Sequence, residues 1–229
     1  MSFTEHMLQK ALEEGGILRR LSGGALRSAT FRKLVLDYLR KNLENGRWDK
    51  IVRSETRPPG VRRDVAWGGY ALLKSLDRNF KKGYISQHVA DRLIEVFLGQ
   101  VLLNWHERGE ITKRFQEMGE KGPPGFLVIS PGKACNLRCE GCYAASGAAT
   151  EKLSAEVFDR IITEAKELWG VHFFTISGGE PFLWRDGKTR LLDIVEKHSD
   201  CFFLTYTNGT LINEEVAERL GELGNLTPA

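Results

Sequence analysis

The stretch FLVISPGKACNLRCEGCYA, residues 126–144, joins a short apolar run to a loop that carries three cysteines. Phe126-Leu127-Val128-Ile129 has the length and composition of a strand buried on both faces, the kind found in parallel sheets. Cys135, Cys139 and Cys142 sit in the segment leaving it. That position matters, because parallel α/β sheets bind ligands at the carboxyl ends of their strands. Three thiolates this close in sequence can fold around one compact centre, and soft sulfur ligands select zinc or iron–sulfur clusters. A structural zinc site needs a fourth ligand, and the sequence holds no paired knuckle elsewhere. Tyr143 and the nearby serine are poor donors for that place. The residues favour an iron–sulfur site and leave zinc open.

Downstream of this loop, strands and helices alternate. A helix runs from Ser154 to Trp169 and is closed by Gly170, and a strand runs from His172 to Ile176. A second helix spans Asp186 to His198, a third strand Cys201 to Thr207, and a third helix Asn213 to Leu223. Such alternation predicts βαβ units and a parallel sheet. Residues 225–229 fall where a fourth strand begins. Three βα units do not close a barrel, and an unpaired parallel edge exposes backbone donors. The expectation is therefore a partial parallel (β/α) barrel, truncated after three βα units, that is inactive by itself.

Upstream, the pattern is helical. Phe3, Met7, Leu8, Ala11 and Leu12 follow a capping-box spacing at Ser2–Glu5. Phe31, Leu34, Val35, Tyr38, Leu39 and Leu43 form the stripe of a half-buried helix that ends near Gly46. Pro58-Pro59-Gly60 breaks the chain, and a third helix carries Trp67, Tyr70, Leu73, Leu76 and Phe80. A fourth starts after Ser86, an N-cap, and runs towards His106. At helical spacing these aromatic residues read as core. Gly122-Pro123-Pro124-Gly125 marks a linker, so the domains are a helical region at 1–121 and an α/β region at 125–229.

Charge divides in the same place. Residues 1–124 hold 23 Lys and Arg against 15 Asp and Glu, an excess of +8, whereas residues 125–229 hold 10 against 15. A basic helical region invites an acidic partner or an anionic surface. A nucleic-acid-binding module built on it lacks the aromatic-flanked basic groove that such proteins show. No apolar run reaches the roughly 18 residues of a membrane-spanning helix. The N-terminus lacks the basic start and apolar core of a secretory signal, which reads as cytoplasmic. In a reducing compartment, closely spaced cysteines are metal ligands more often than disulfides. Cys201 stands apart in an apolar run and reads as a small core residue. His6, His88, His106, His172 and His198 include no pair at metal-binding spacing, and His198 falls near a helix end, where the dipole favours it.

Three motifs in order complete the pattern. CxxxCxxC follows the first strand, Ser177-Gly178-Gly179-Glu180-Pro181 ends the second, and Thr207-Asn208-Gly209-Thr210 ends the third. Together they resemble the radical S-adenosylmethionine (radical SAM) superfamily over residues 125–229, and the last motif is similar to that of SPASM-type members. The resemblance implies a radical SAM-type barrel in which Cys135, Cys139 and Cys142 hold a [4Fe–4S] cluster. It implies that S-adenosylmethionine chelates the open iron, with Gly178, Gly179, Glu180 and Asn208 as cofactor-binding residues. Gly178 and Gly179, lacking Cβ, would let backbone approach the methionine group, and Glu180 would hold its ammonium. Reductive cleavage would then give a 5′-deoxyadenosyl radical for hydrogen abstraction from a peptide, lipid or cofactor precursor. An electron donor such as a flavodoxin or ferredoxin is implied as partner. The alternative is a non-catalytic iron–sulfur protein for electron transfer or sensing, which has no need of the glycine–glutamate motif. Many members carry an aromatic residue before the third cysteine. Here Gly141 stands there and Tyr143 follows the cysteine, so Tyr143 is given no adenine role.

Overall fold

The computed structural model describes residues 28–47, 58–102 and 105–229. The predicted helix around Phe3–Leu12 lies outside the described residues, as does Arg57. The chain divides into two compact units, Met1–Gln87 and His88–Ala229. The last helix before the first strand ends at Glu117 and that strand begins at Leu127, while the compact units divide after Gln87.

In the first unit, α1 spans Ala29–Glu44 and α2 spans Pro59–Lys81, and the two pack together. Ser28 caps α1 by accepting from the Phe31 N–H. Pro59, a chain break by its sequence, opens α2. Its missing N–H costs nothing in the first helical turn, where that donor has no partner anyway. Between the helices, Arg32 Nε donates to Asp77 Oδ1 at 2.8 Å, and within α2 Lys81 Nζ, one turn on, reaches Oδ2 at 2.6 Å. Burial alone would raise the Asp77 carboxyl, but these two hydrogen bonds and the charges behind them hold it below its ordinary value.

The second unit opens within α3, Gln87–Arg92, which continues as a π-helical stretch Leu93–Leu102, and α4 follows at Trp105–Glu117. Four parallel strands then form a sheet in the order β1, Leu127–Ile129; β2, Phe173–Ile176; β5, Phe202–Thr205; β6, Leu226–Pro228. Register pairs Ile129 with Ile176, Phe174 with Phe203 and Phe203 with Leu226. Because strand side chains alternate, Ile129, Phe174, Ile176, Phe203 and Leu226 share one face. That face buries Phe158 and Ile162 of α5, Ala155–Trp169, and Leu191, Ile194 and Val195 of α6, Leu191–Lys197. The opposite face begins with Phe173 and Phe202, on which Phe97 lies at 6.1 and 5.2 Å between ring centroids. Further along that face Val128 is exposed. The α/β class and the parallel sheet are as the sequence predicts, and the predicted fourth strand is present as β6.

Caps set the helix ends. Ser154 accepts from the Val157 N–H at the start of α5, and Gly170 closes it in the left-handed conformation. Asn213 does the same for α7, Glu214–Leu223. The helix predicted from Asp186 to His198 is shorter. Arg185–Asp186 (β3) and Thr189–Arg190 (β4) form a small antiparallel hairpin first, and α6 starts only at Leu191. Gly187, at φ +59°, makes the turn. Asp186 is held out of the helix because its carboxylate accepts from the Ala155 N–H at 2.9 Å and from Lys152 Nζ at 2.9 Å.

Candidate functional site

Loops at the carboxyl ends of β1, β2 and β5 converge. The β1 loop, 130–150, is stitched along its length: Lys133 N–H donates to Glu151 O at 3.0 Å and Cys135 N–H to Gly147 O at 2.8 Å. The Cys142 N–H reaches Cys139 O at 3.3 Å, and the Ala145 N–H reaches Cys142 O at 3.1 Å. Cys135, Cys139 and Cys142 all carry free thiols on this loop.

Gly178 and Gly179 have a neighbour that the sequence did not suggest. A Cβ on Gly179 would lie 2.1 Å from Ala134 O, and one on Gly178, at φ +106°, 2.7 Å from Gly132 O. The cysteine loop itself occupies that space. Backbone bonds lock the contact: the Gly179 N–H donates to Gly132 O at 3.0 Å and the Glu180 N–H to Ala134 O at 2.8 Å. The two glycines therefore let the thiol-bearing loop lie flat on the end of β2.

Glu180 is 2 % exposed. Its Oε1 accepts from the Phe182 N–H at 3.0 Å and from Thr207 Oγ1 at 2.8 Å, and its Oε2 from the Asn208 N–H at 2.9 Å. A buried carboxylate is tolerable only when hydrogen-bonded, and these donors bind the end of β2 to the end of β5. Asn208 carries the connection onward. Its Nδ2 donates to Asn136 Oδ1 at 2.9 Å and lies 3.9 Å from Cys135 Sγ, while Leu137 N–H points at the same sulfur from 3.4 Å.

Cys142 is surrounded by donors of its own loop. The backbone N–H of Ser146, then that of Ala144, hold its thiol below the ordinary value, and the Ser146 hydroxyl and Ala145 N–H add to them. Ala145 has φ +45°, a left-handed conformation in a non-glycine residue. Such a residue within a turn aims successive N–H groups at one anion, forming a nest.

Tyr143, given no role from spacing, is a strut. The residue is 79 % exposed, yet its hydroxyl shares a 2.5 Å hydrogen bond with Ser177 Oγ and accepts from the Gly178 N–H at 3.3 Å. Thr207 and Thr210 join the site as members of the third motif, whereas Tyr143 and Asn136 join it without a sequence signal beyond their neighbours in the cysteine loop. The structure thus brings Cys135, Gly178, Gly179, Glu180 and Asn208 into one bonded assembly, with Cys139 and Cys142 on the same loop.

The thiol set suits an iron–sulfur cluster. It supplies three soft ligands from one loop, and N–H donors already face Cys135 and Cys142, the sulfur hydrogen bonding that such clusters use. Elsewhere among the described residues, His172, Asp200 and Cys201 place ligand atoms within 4.8 Å of one another near the amino ends of β2 and β5. There Lys166 Nζ already takes both Asp200 oxygens at 3.1 Å. Burial, with the Asp200 charge behind it, pushes the Cys201 thiol well up. Both features disfavour a cation. His198, read as a partner of the helix dipole, is buried with Nε2 2.9 Å from Asp159 Oδ1.

A probable GTP 3′,8-cyclase of Archaeoglobus fulgidus is 38% identical over 99 residues, which are 43% of this chain and 32% of that protein. Among solved structures, Streptococcus suis SuiB bound to precursor peptide SuiA gives a TM-score of 0.43 at 19% identity, covering 86% of this chain and 37% of that one. SuiB bound to S-adenosylmethionine gives 0.44 at 20% identity, covering 86% and 36%. The chain spans about a third of the length of these relatives. Residues 129–228, from the end of β1 to β6, match the family model of the radical SAM superfamily.

Proposed function

We propose that the chain carries the cluster and cofactor half of a radical SAM enzyme. Cys135, Cys139 and Cys142 hold a [4Fe–4S] cluster, and S-adenosylmethionine binds beside it against the ends of β2 and β5. When bound, the cluster supplies the single electron for reductive cleavage of S-adenosylmethionine to a 5′-deoxyadenosyl radical. That chemistry would serve hydrogen abstraction from a peptide, lipid or cofactor precursor, with a flavodoxin or ferredoxin as the electron donor. The observation that carries this reading is the buried Glu180, which ties the third strand's Thr207 and Asn208 to the second strand end on which the cysteine loop rests.

The residues divide the work. Gly178 and Gly179 keep the cysteine loop against the strand end, and would be among the residues that hold the methionine group. Glu180 orders Thr207 and Asn208 from behind. The nest at residues 144–146 favours the thiolate form of Cys142, which is the form that ligates metal. Tyr143 braces the loop through Ser177.

Anaerobic reconstitution tests the reading. The chain is expected to take up about four irons and four sulfides, the cluster composition. Cys135→Ala, Cys139→Ala and Cys142→Ala each abolish the visible absorbance, and Cys201→Ala leaves it. Adding S-adenosylmethionine changes the EPR signal of the reduced protein. A colourless, zinc-loaded protein under strict anaerobiosis overturns the proposal, and an unchanged EPR signal reduces it to an electron carrier.

A further inference from the structure

The geometry points to Asn208 as a positioning residue that sets the electron affinity of the cluster through Cys135, with Glu180 acting through it. This inference rests on the cluster reading above.

The Asn208 amide has only one orientation consistent with its neighbours. The Thr210 N–H, 3.0 Å away, can only donate, so the atom facing it is Oδ1. Thr210 Oγ1 also donates to that oxygen at 2.7 Å and accepts from Asn136 Nδ2 at 2.7 Å. Nδ2 is thereby turned to the other side, where it meets Asn136 Oδ1 at 2.9 Å and Cys135 Sγ at 3.9 Å. At the backbone, the Asn208 N–H is fixed by the Glu180 carboxylate. Both ends of the residue are held, and the donor aimed at the sulfur is not free to swing away.

Cys135 has two such donors of different kinds. The Leu137 N–H belongs to the cysteine loop and follows the thiol wherever the loop goes. Asn208 comes from the third strand end, 73 residues away in sequence. One-electron reduction adds negative charge that spreads onto the ligand sulfurs. An N–H aimed at sulfur stabilises that state more than the oxidised one and raises the potential. Asn208 therefore makes the cluster easier to reduce, and Glu180 does so at one remove by holding the backbone of Asn208.

The test is a spectroelectrochemical titration of the reconstituted chain, with a low-potential chemical reductant supplying the electron. Iron content is measured on every sample. Asn208→Ala removes the donor, while Asn208→Asp keeps the shape and the acceptor for Thr210 but replaces the N–H with a negative charge. Both variants are expected to retain their iron and to shift to lower potential, Asn208→Asp further than Asn208→Ala. For Asn208→Ala the ratio of reduced to oxidised cluster at a fixed poise falls about threefold, the effect of losing one weak charge-assisted hydrogen bond, where tenfold corresponds to about 59 mV for one electron. Full iron with unchanged potentials overturns the inference and leaves the cluster reading standing. Loss of iron in both Asn208 variants also overturns it, because Asn208 is then needed to build the site. Failure of the unmodified chain to bind a cluster overturns both.

Discussion

At the residue scale, the least forgiving position is Gly179. A methyl group there meets a backbone carbonyl at 2.1 Å, and backbone cannot rotate aside as a side chain can. Gly179→Ala is expected to push the cysteine loop off the end of β2, to destabilise the second unit by about 1–3 kcal/mol, and to lower iron uptake. Denaturant titration and iron analysis check the two effects separately. Nothing in the sequence pairs Gly179 with Ala134, since the partner is a carbonyl 45 residues upstream that motif spacing does not reveal. The cysteines were legible because their chemistry lies in their type and spacing. The function of the glycines was legible only as freedom from a side chain, and the structure supplies the object they make room for.

His198 adds a pH dependence. Burial comes first in holding its imidazole below the ordinary value of 6.5, with the Lys166 charge next, and the Asp159 carboxylate opposes them incompletely. A histidine depressed in the folded state binds its proton more readily when unfolded, so stability falls as pH drops below about 6.5 and levels off once the folded-state value is passed. Asp159 is shifted down in turn: burial would raise it, but Lys197 and His198 outweigh that. Its contribution is present above its ordinary value of 3.8 and fades as pH falls below it. Urea midpoints measured from pH 7.5 to 5 are expected to decline, with a shallower slope in His198→Gln. Equal slopes in the two proteins refute the assignment.

At the scale of elements, α3 is bound to the sheet by a clamp at its C-terminus. Arg92 donates to Leu223 O at the end of α7, to Ser199 O, and to Glu95, and His88 Nε2 lies 2.5 Å from Glu222 O. Cationic donors at a helix C-terminus satisfy carbonyls that have no partner inside the helix. A Cβ on Gly224 would come within 2.7 Å of Arg92 Cγ, which shows how close this approach is. Arg92→Ala is expected to speed hydrogen exchange in both α3 and the last turn of α7, leaving α5 unchanged. Protection lost in α3 alone defeats the clamp. Elements with strong local punctuation were legible, and α5 with Ser154 before it and Gly170 after it is the clearest. The hairpin at 185–190 was not, because Asp186 is drawn out of the helical pattern by Lys152 and Ala155, partners that only the folded chain brings near.

At the scale of the whole molecule, the helices after Gln87 belong with the sheet. Phe97 covers Phe173 and Phe202, and those rings would otherwise meet water. A chain starting at His88 is expected to unfold cooperatively, and one starting at Gly125 to be less stable by several kcal/mol, since burying one aromatic side chain contributes roughly 1.5–3 kcal/mol. Denaturation of the two pieces compares them directly. Equal stability would place the boundary at Gly122–Gly125 instead. Some basic side chains of residues 1–124 pair locally with Asp77, Asp64, Asp37 and Glu44, acids that the excess of +8 already counts. What remains is expected to bind an acidic peptide weakly, with affinity falling as salt rises. No helix among the described residues is long and apolar enough to cross a membrane.

Cys201 has no exposed surface, and its thiol holds its proton far more tightly than a free cysteine. Alkylating reagents attack thiolates, so the native apo-protein should take up iodoacetamide at three positions promptly and at the fourth only when the sheet opens. The fourth label is then a chemical clock. Its rate, divided by the rate for an unfolded peptide of the same sequence, is the fraction of time that the floor of the sheet lies open. Timed against the three fast labels, it distinguishes a variant that merely disturbs the cysteine loop from one that loosens the fold beneath it.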